Sequence, residues 1–250
     1  MKRILTFIAL CFLLVPPGRA QSQDAYGLVK ASFNYWRGQT SMGEVRMTIH
    51  RPDWERTVVI RAWTKGEKWS LFYIVDPPKD RGNGTLKKGR EMWIYNPKVN
   101  RIIKIPPSMM SQSWMGSDFS NDDLAKTEST LYDYTHTFVG IRAEAGKKIY
   151  RVKCVPKPEA PVVWGMQMLE IREDFIFLKE EFYDEELKPV KILTGSDIQM
   201  MGGKLIPTTW RMQKADVKDE YTVLEYRKLI FDLPLEDSLF TLSSLRNLPG

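Results

Sequence analysis

Between Ile149 and Phe231 the chain presents six strand-like stretches in succession, Ile149 to Val155, Val163 to Arg172, Phe175 to Asp184, Val190 to Ile198, Leu205 to Gln213 and Thr222 to Phe231, with no helical period between them. This spacing constrains the fold more than any other feature. Parallel neighbours need a crossover of a dozen residues or more, whereas these stretches are joined by turn signals such as Gly202-Gly203 and the acidic Asp184-Glu185-Glu186. An antiparallel meander follows. Earlier in the chain Glu44 to His50, Thr57 to Thr64, Trp69 to Val75, Glu91 to Tyr95 and Arg101 to Ile105 carry the same signature, for about eleven strands in all. Val45, Met47 and Ile49 alternate cleanly to one face, but Trp69 to Val75 is apolar on both: Trp69, Leu71, Tyr73 and Val75 oppose Phe72 and Ile74. A sheet covered on one side only would not need that second apolar face. A sheet this wide cannot stay flat, so the expected fold is α+β and mainly antiparallel β, a strongly curled and incompletely closed barrel.

Two interruptions give the barrel its cover. From Asp24 to Arg37, Ala25, Leu28, Val29, Ser32, Phe33 and Trp36 recur on one helical stripe, which Gly38 ends. The second interruption is in Gly89 to Leu124, GREMWIYNPKVNRIIKIPPSMMSQSWMGSDFSNDDL. Here the turn Asn96-Pro97-Lys98-Val99-Asn100 makes a hairpin, and Pro106-Pro107 stops its second strand. Met109, Met110, Trp114 and Met115 then crowd among Ser and Gln in what should be a polar loop, and groups this large must be buried somewhere. Ser120-Asn121-Asp122-Asp123 has the form of a capping box, predicting a helix from Asn121 to about Ser129. The stretch reads either as a hairpin whose trailing loop folds onto its own core or as a thioether-rich, helical lid over the concave face. The tail from Leu235 to Leu248 places Leu239, Phe240, Leu242 and Leu245 where a short helix could plug an end.

The combined pattern Met92-Trp93-Ile94-Tyr95-Asn96-Pro97, Lys104-Ile105-Pro106-Pro107-Ser108 and Met115-Gly116-Ser117-Asp118-Phe119-Ser120, with Asp122-Asp123-Leu124, resembles the outer membrane lipoprotein-sorting proteins of the LolA-like superfamily. Gly203-Lys204-Leu205-Ile206-Pro207-Thr208 is a weaker echo of the same group. The resemblance implies an N-terminal helix, a bent sheet, a helical lid and a periplasmic carrier with no catalytic activity. It also implies a handover from inner-membrane machinery to an outer-membrane acceptor. The best-known carriers have a buried arginine that switches the lid; no motif places its counterpart here, with Arg46 and Arg61 as the strand candidates.

Met1 to Ala20 reads as a signal peptide: Lys2 and Arg3 precede an apolar run from Ile4 to Val15, and Gly18 and Ala20 stand before the expected cut. That run is too short for a spanning helix. Leu10 before Cys11 is not the small residue a lipid-attachment site needs. Residues 21–250 are expected to be one lipid- or lipoprotein-binding domain. The formal net charge of +6 includes three leader cations, Lys2, Arg3 and Arg19, so the mature chain lacks the dense basic excess of a nucleic-acid binder. Of the two cysteines only Cys154 follows the leader, so stability must come from an apolar core. Asn83-Gly84-Thr85 fits a glycosylation acceptor, but Asn-Gly suits a hairpin turn at least as well.

Little points to chemistry. The chain has two histidines, His50 and His136, and no zinc-ligand spacing, so neither metal nor cofactor is expected. Asp118 to Asp122 places oxygens as a calcium loop begins, but Asp123 stands where that loop needs Gly. Asp174, Asp184, Glu185 and Glu186 fall at strand ends and turns, where carboxylates are usually solvated. What needs a purpose is the surplus of large apolar groups, with 8 Trp and 12 Met in the chain. They read either as a filled core or as a cavity for acyl chains, where each buried methylene contributes about 0.8 kcal/mol. On the cavity reading the expected lining is Phe33, Trp36, Trp69, Tyr73, Trp93 and Tyr95, with Met109, Met110, Trp114 and Met115 in the lid, and the ligand is a lipid or an acylated lipoprotein. The alternative is an accessory subunit of an export system that docks through a filled version of the same fold.

Overall fold

The computed structural model describes residues 24–247, and the expected leader at residues 1–20 lies outside them. Helix α1 (Ala25–Arg37) precedes β1 (Thr40–Arg51), β2 (Trp54–Lys65), β3 (Trp69–Asp76), β4 (Gly84–Lys88), β5 (Glu91–Asn96) and β6 (Arg101–Lys104). An insertion then carries two 3-10 turns and the short helices α2 (Asn121–Ala125) and α3 (Ser129–Tyr132). After it come β7 (Tyr134–Glu144), β8 (Lys147–Pro156), β9 (Met166–Arg172), β10 (Phe177–Tyr183), β11 (Pro189–Met201), β12 (Lys204–Lys214) and β13 (Tyr221–Phe231), followed by α4 (Leu242–Arg246).

These strands form one antiparallel sheet in the order β6-β5-β4-β3-β2-β1-β13-β12-β11-β10-β9-β8-β7. Two meanders therefore meet where β1 pairs with β13, Met47 opposite Leu224. The sheet has thirteen strands, not about eleven. The additional two are β4, five residues ending in Lys87 and Lys88, and β7, an outermost strand exposed from Val139 to Glu144. Neither shows the apolar alternation by which a strand announces itself. Strand β9 begins at Met166, and Val163 lies in the preceding loop.

The sheet is not closed, since β6 and β7 are edges with no pairing between them among the described residues. The insertion leaves β6 and enters β7, so it crosses from one edge to the other. Helix α1 packs Ala25, Leu28 and Val29 against Val152, Leu169 and Ile171, covering the β8–β9 part of the inner face. Trp114 of the insertion packs against Met47, Ile49, Val58, Ile60 and Ile74 on β1 to β3, and Ala125 against Met92 on β5. The outer face of β2 to β5 is covered as well. Trp63, Leu71, Tyr73, Leu86 and Tyr95 pack beneath Phe240 and Leu245. The C-terminal segment is thus a layer on the outer face, not a plug at an end, and it accounts for the two apolar faces of β3. Gly84 permits the close approach: a Cβ there would stand 2.8 Å from Leu245 Cδ1.

Candidate functional site

The ends of α1 are set by local chemistry. Asp24 accepts a hydrogen bond from the Gly27 amide at the N-cap, and Gly38 leaves the helix at φ 66°, a conformation that favours glycine. In the insertion, Ser120 Oγ accepts from the Asp123 amide at 3.1 Å and Asp123 Oδ2 accepts from the Ser120 amide at 2.7 Å. This is the expected capping box. The helix it starts is shorter than expected, because α2 ends at Ala125 and α3 restarts at Ser129.

Among the polar ties that hold the insertion across the concave face are four to α1, β1, β4 and β11. Near β1, Arg51 makes a forked pair with Asp118, at 3.0 Å and 3.1 Å, and the Thr222 hydroxyl donates to the same carboxylate at 2.6 Å. The carboxylate that looked like the start of a calcium loop is therefore engaged by protein. At the α2–α3 junction, the Lys87 ammonium donates to Glu128 at 3.0 Å, with both side chains nearly removed from solvent. Arg37 of α1 donates to Thr127 Oγ1 at 2.7 Å and to the Gly66 carbonyl at 2.8 Å. Burial lowers the Lys87 and Arg37 pKa values from their ordinary levels, while Glu128 opposes the shift in both. The fourth tie pairs Asp123 of α2 with Lys191 of β11.

Between α1, the insertion and the curled sheet lies a cavity of about 410 Å³. Its walls are mostly apolar and aromatic, including Val45, Ile60 and Phe72 from one half of the sheet and Leu169, Phe177, Phe182 and Trp210 from the other. Gly195 makes room for the Trp210 ring; a Cβ at that position would lie 3.0 Å from its edge. A volume of several hundred Å³ with such walls suits a small apolar or amphipathic molecule.

The candidate residues divide between the two faces. Phe33 and Trp36 of α1 and Trp114 of the insertion line the cavity. Trp36 meets Trp210 and Tyr226 edge-on, with ring centroids at 5.3 Å and 5.4 Å, and Trp114 Nε1 donates to Thr85 Oγ1 at 3.1 Å. Trp69, Tyr73, Trp93 and Tyr95 do not line it. They lie on the outer face under the C-terminal segment, because they alternate with Ser70, Phe72, Met92 and Ile94, which point inward. Met109 is exposed, Met110 packs beside Met92, and Met115 packs beside Trp114's cluster at φ 54°. None of the three methionines reaches the cavity wall. Arg46 is no buried switch: it sits half-exposed on the outer face, 3.9 Å from Glu225.

The cavity also contains polar groups that the sequence did not single out. Glu180 on β10 lies between Leu169 of β9 and Leu193 of β11 in register, facing inward. It is half-buried, and no described residue hydrogen-bonds to it. Burial, with the nearby Asp123 charge, pushes its carboxyl up to about 8, against a smaller opposing effect of Lys191. Burial likewise pushes the Tyr226 phenol up to about 12. Ser32 Oγ, Gln167 Oε1 and Trp210 Nε1 are buried without hydrogen-bond partners among the described residues, and all three residues line the cavity. Pattern reading passes over such groups, since Glu180 sits in the strand run Lys179-Glu180-Glu181 that looks like a solvated edge. Among the described residues no group of three metal-ligating side chains converges. Cys154 is buried, and burial raises its thiol well above the usual range.

A family model described as "-like: Uncharacterized protein" matches residues 66–247. The chain belongs to that family. No curated protein matches it in sequence. Among solved structures, a DUF1329 family protein from Desulfovibrio piger is 25% identical, with a TM-score of 0.79 over 88% of this chain and 97% of its own. A domain assigned to outer membrane lipoprotein sorting, from Vibrio parahaemolyticus, is 20% identical, with a TM-score of 0.78 over 89% of this chain and 98% of its own. A LolA superfamily protein from Nitrosomonas europaea is 22% identical, with a TM-score of 0.73 over 88% and 99%. This chain therefore shares the fold of these LolA superfamily and lipoprotein-sorting structures, as the Met92 to Leu124 pattern implied. Among the described residues no helix is long and apolar enough to cross a membrane.

Proposed function

We propose that this protein is a non-catalytic periplasmic carrier that holds a lipid or the acyl chain of a lipoprotein between its curled sheet and the insertion, for transfer toward the outer membrane. One observation carries this reading: the apolar-walled cavity of about 410 Å³ that remains where a filled core would have none. The sorting role of the similar Vibrio domain supports it, as does the leader-like pattern of residues 1–20. In this reading the insertion is the lid. Polar ties such as those through Asp118, Thr127, Glu128 and Asp123 hold it in place, and lid opening is the step that an inner-membrane donor or an outer-membrane acceptor would bias.

Native mass spectrometry of the protein taken from its own periplasm, followed by organic extraction of what dissociates, tests the reading. A lipid or acylated peptide bound one to one is the expected result. A clean apo mass, with no later uptake of a fluorescent fatty acid, would reject the carrier and favour the accessory subunit that docks through its surface.

A further inference from the structure

An apolar trap for plain acyl chains would have no reason to keep an unpartnered carboxyl in its wall, yet Glu180 is held on the inner face between two leucines. It is not alone. Gln167 lies on the neighbouring strand, one inward position along from Leu169, which pairs with Glu180, and is 4% exposed with its Oε1 unpartnered. Ser32 is 2% exposed and Trp210 5% exposed, each with its side-chain polar atom unpartnered. A buried polar atom without a partner has given up its hydration for nothing, so several on one cavity form an arrangement that an occupant would complete. The nearby Lys191 ammonium is not available for that purpose, being paired with Asp123 and held over the Trp164 and Phe182 rings at 4.9 Å each.

We infer that the β9–β10 wall is a polar subsite, in which Glu180 and Gln167 accept hydrogen bonds from a hydroxyl or amide N–H carried by the bound lipid. The inference rests on the carrier reading and specifies its cargo: an amphiphile with a hydrogen-bond donor on the part inside the cavity, in preference to an unsubstituted chain or an anionic carboxylate head. Chemistry supports the choice. A glutamate carboxyl, whether ionised or protonated, and a glutamine amide both offer an acceptor oxygen, while an anionic head at this wall would stand beside the Asp123 carboxylate with Lys191 already paired to it. The titratable groups facing Glu180 are Asp123 from α2, Lys191 from β11, Tyr134 from β7 and Cys154 from β8.

The test compares 1-dodecanol with its isomer 1-methoxyundecane, which has the same atoms but no donor, as displacers of a bound naphthylamine fluorophore; dodecanoate is the anionic control. At pH 9, where the ionised carboxyl only accepts, wild-type protein should prefer the alcohol over the ether by about tenfold. At pH 6 the protonated carboxyl can donate to the ether oxygen, so the preference narrows. In Glu180→Leu the preference falls to about onefold at both values; in Glu180→Gln, whose amide both accepts and donates, it stays at the narrowed pH 6 value and no longer moves with pH. Gln167→Leu, a second route should Glu180→Leu not fold, should reduce the preference severalfold. Equal displacement by alcohol and ether in the wild type, or a preference that survives both leucine substitutions, overturns the subsite and leaves the carrier standing. Failure of the wild type to bind the fluorophore or any chain overturns the carrier reading itself.

Discussion

Removing Glu128 should destabilise the protein severely, and removing its partner as well should restore most of the loss. Lys87 and Glu128 have side chains 1% and 12% exposed, so both charges have given up most of their hydration. In Glu128→Ala the Lys87 ammonium would keep only the Glu67 carbonyl at 2.8 Å and the Thr127 hydroxyl at 3.3 Å, both neutral. Breaking a buried pair from one side costs about 3–5 kcal/mol. The loss should depend on pH in a fixed direction. Lys87 has a folded pKa below its ordinary 10.5, so the folded state binds fewer protons than the unfolded one and its stability rises with pH up to that value. Without Glu128, which opposes the shift, the effect grows, and Glu128→Ala should recover part of its loss as pH rises toward 10.5. In Lys87→Met/Glu128→Leu neither member of the pair is left as a lone charge, although the buried Arg37 also loses the attraction of Glu128, and most of the loss should be restored. Urea unfolding followed by tryptophan fluorescence measures all three forms. A single variant within 1 kcal/mol of wild type, or a double variant no better than the single, would refute this account of the pair.

Glu180 predicts the opposite pH trend. Its folded carboxyl is raised to about 8 from its ordinary 4.5, so the folded state holds a proton that the unfolded state releases, and stability falls as pH rises across that window. The fall should be about 1–5 kcal/mol, and urea midpoints of Glu180→Gln should lack it. Trp114→Ala removes an aromatic that packs on Phe72 at 5.6 Å and donates to Thr85, and should cost about 3–5 kcal/mol in urea unfolding while abolishing lipid uptake. Phe240→Ala should cost a similar 3–5 kcal/mol yet leave lipid uptake intact in the folded fraction, because Phe240 lies on the outer face; loss of uptake at full stability would overturn that assignment.

The periods in the sequence revealed the sheet, α1 and the capping box, because alternation and a helical stripe record which face is buried. They could not say by what. Trp69 and Tyr73 alternate as a cavity wall would, and only the return of Phe240 and Leu245 from far along the chain makes theirs the covered outer face. Strands β4 and β7 were hidden for a related reason: buried Lys87 reads as solvated, and an exposed edge needs no apolar rhythm. The Met109 to Met115 cluster was visible as an anomaly, but Met110 and Met115 fill space beneath and beside the insertion, Met109 is exposed, and of the cluster Trp114 alone reaches the cavity. Glu180 was illegible for a deeper reason, since a charge in a strand signals solvent until the curl of the whole sheet turns that face inward.

The unpaired edges have a mechanical consequence. In a closed barrel, every strand is fixed by hydrogen bonds on both sides, so widening the bore means breaking a ladder. Here β6 and β7 share no ladder, and the sheet can change its radius by small changes in twist spread over twelve interfaces, each keeping its hydrogen bonds. On the proposed carrier reading such a wall would behave as a leaf spring with the insertion as its clasp: a wide occupant and a narrow one would be gripped by the same residues at different curvature.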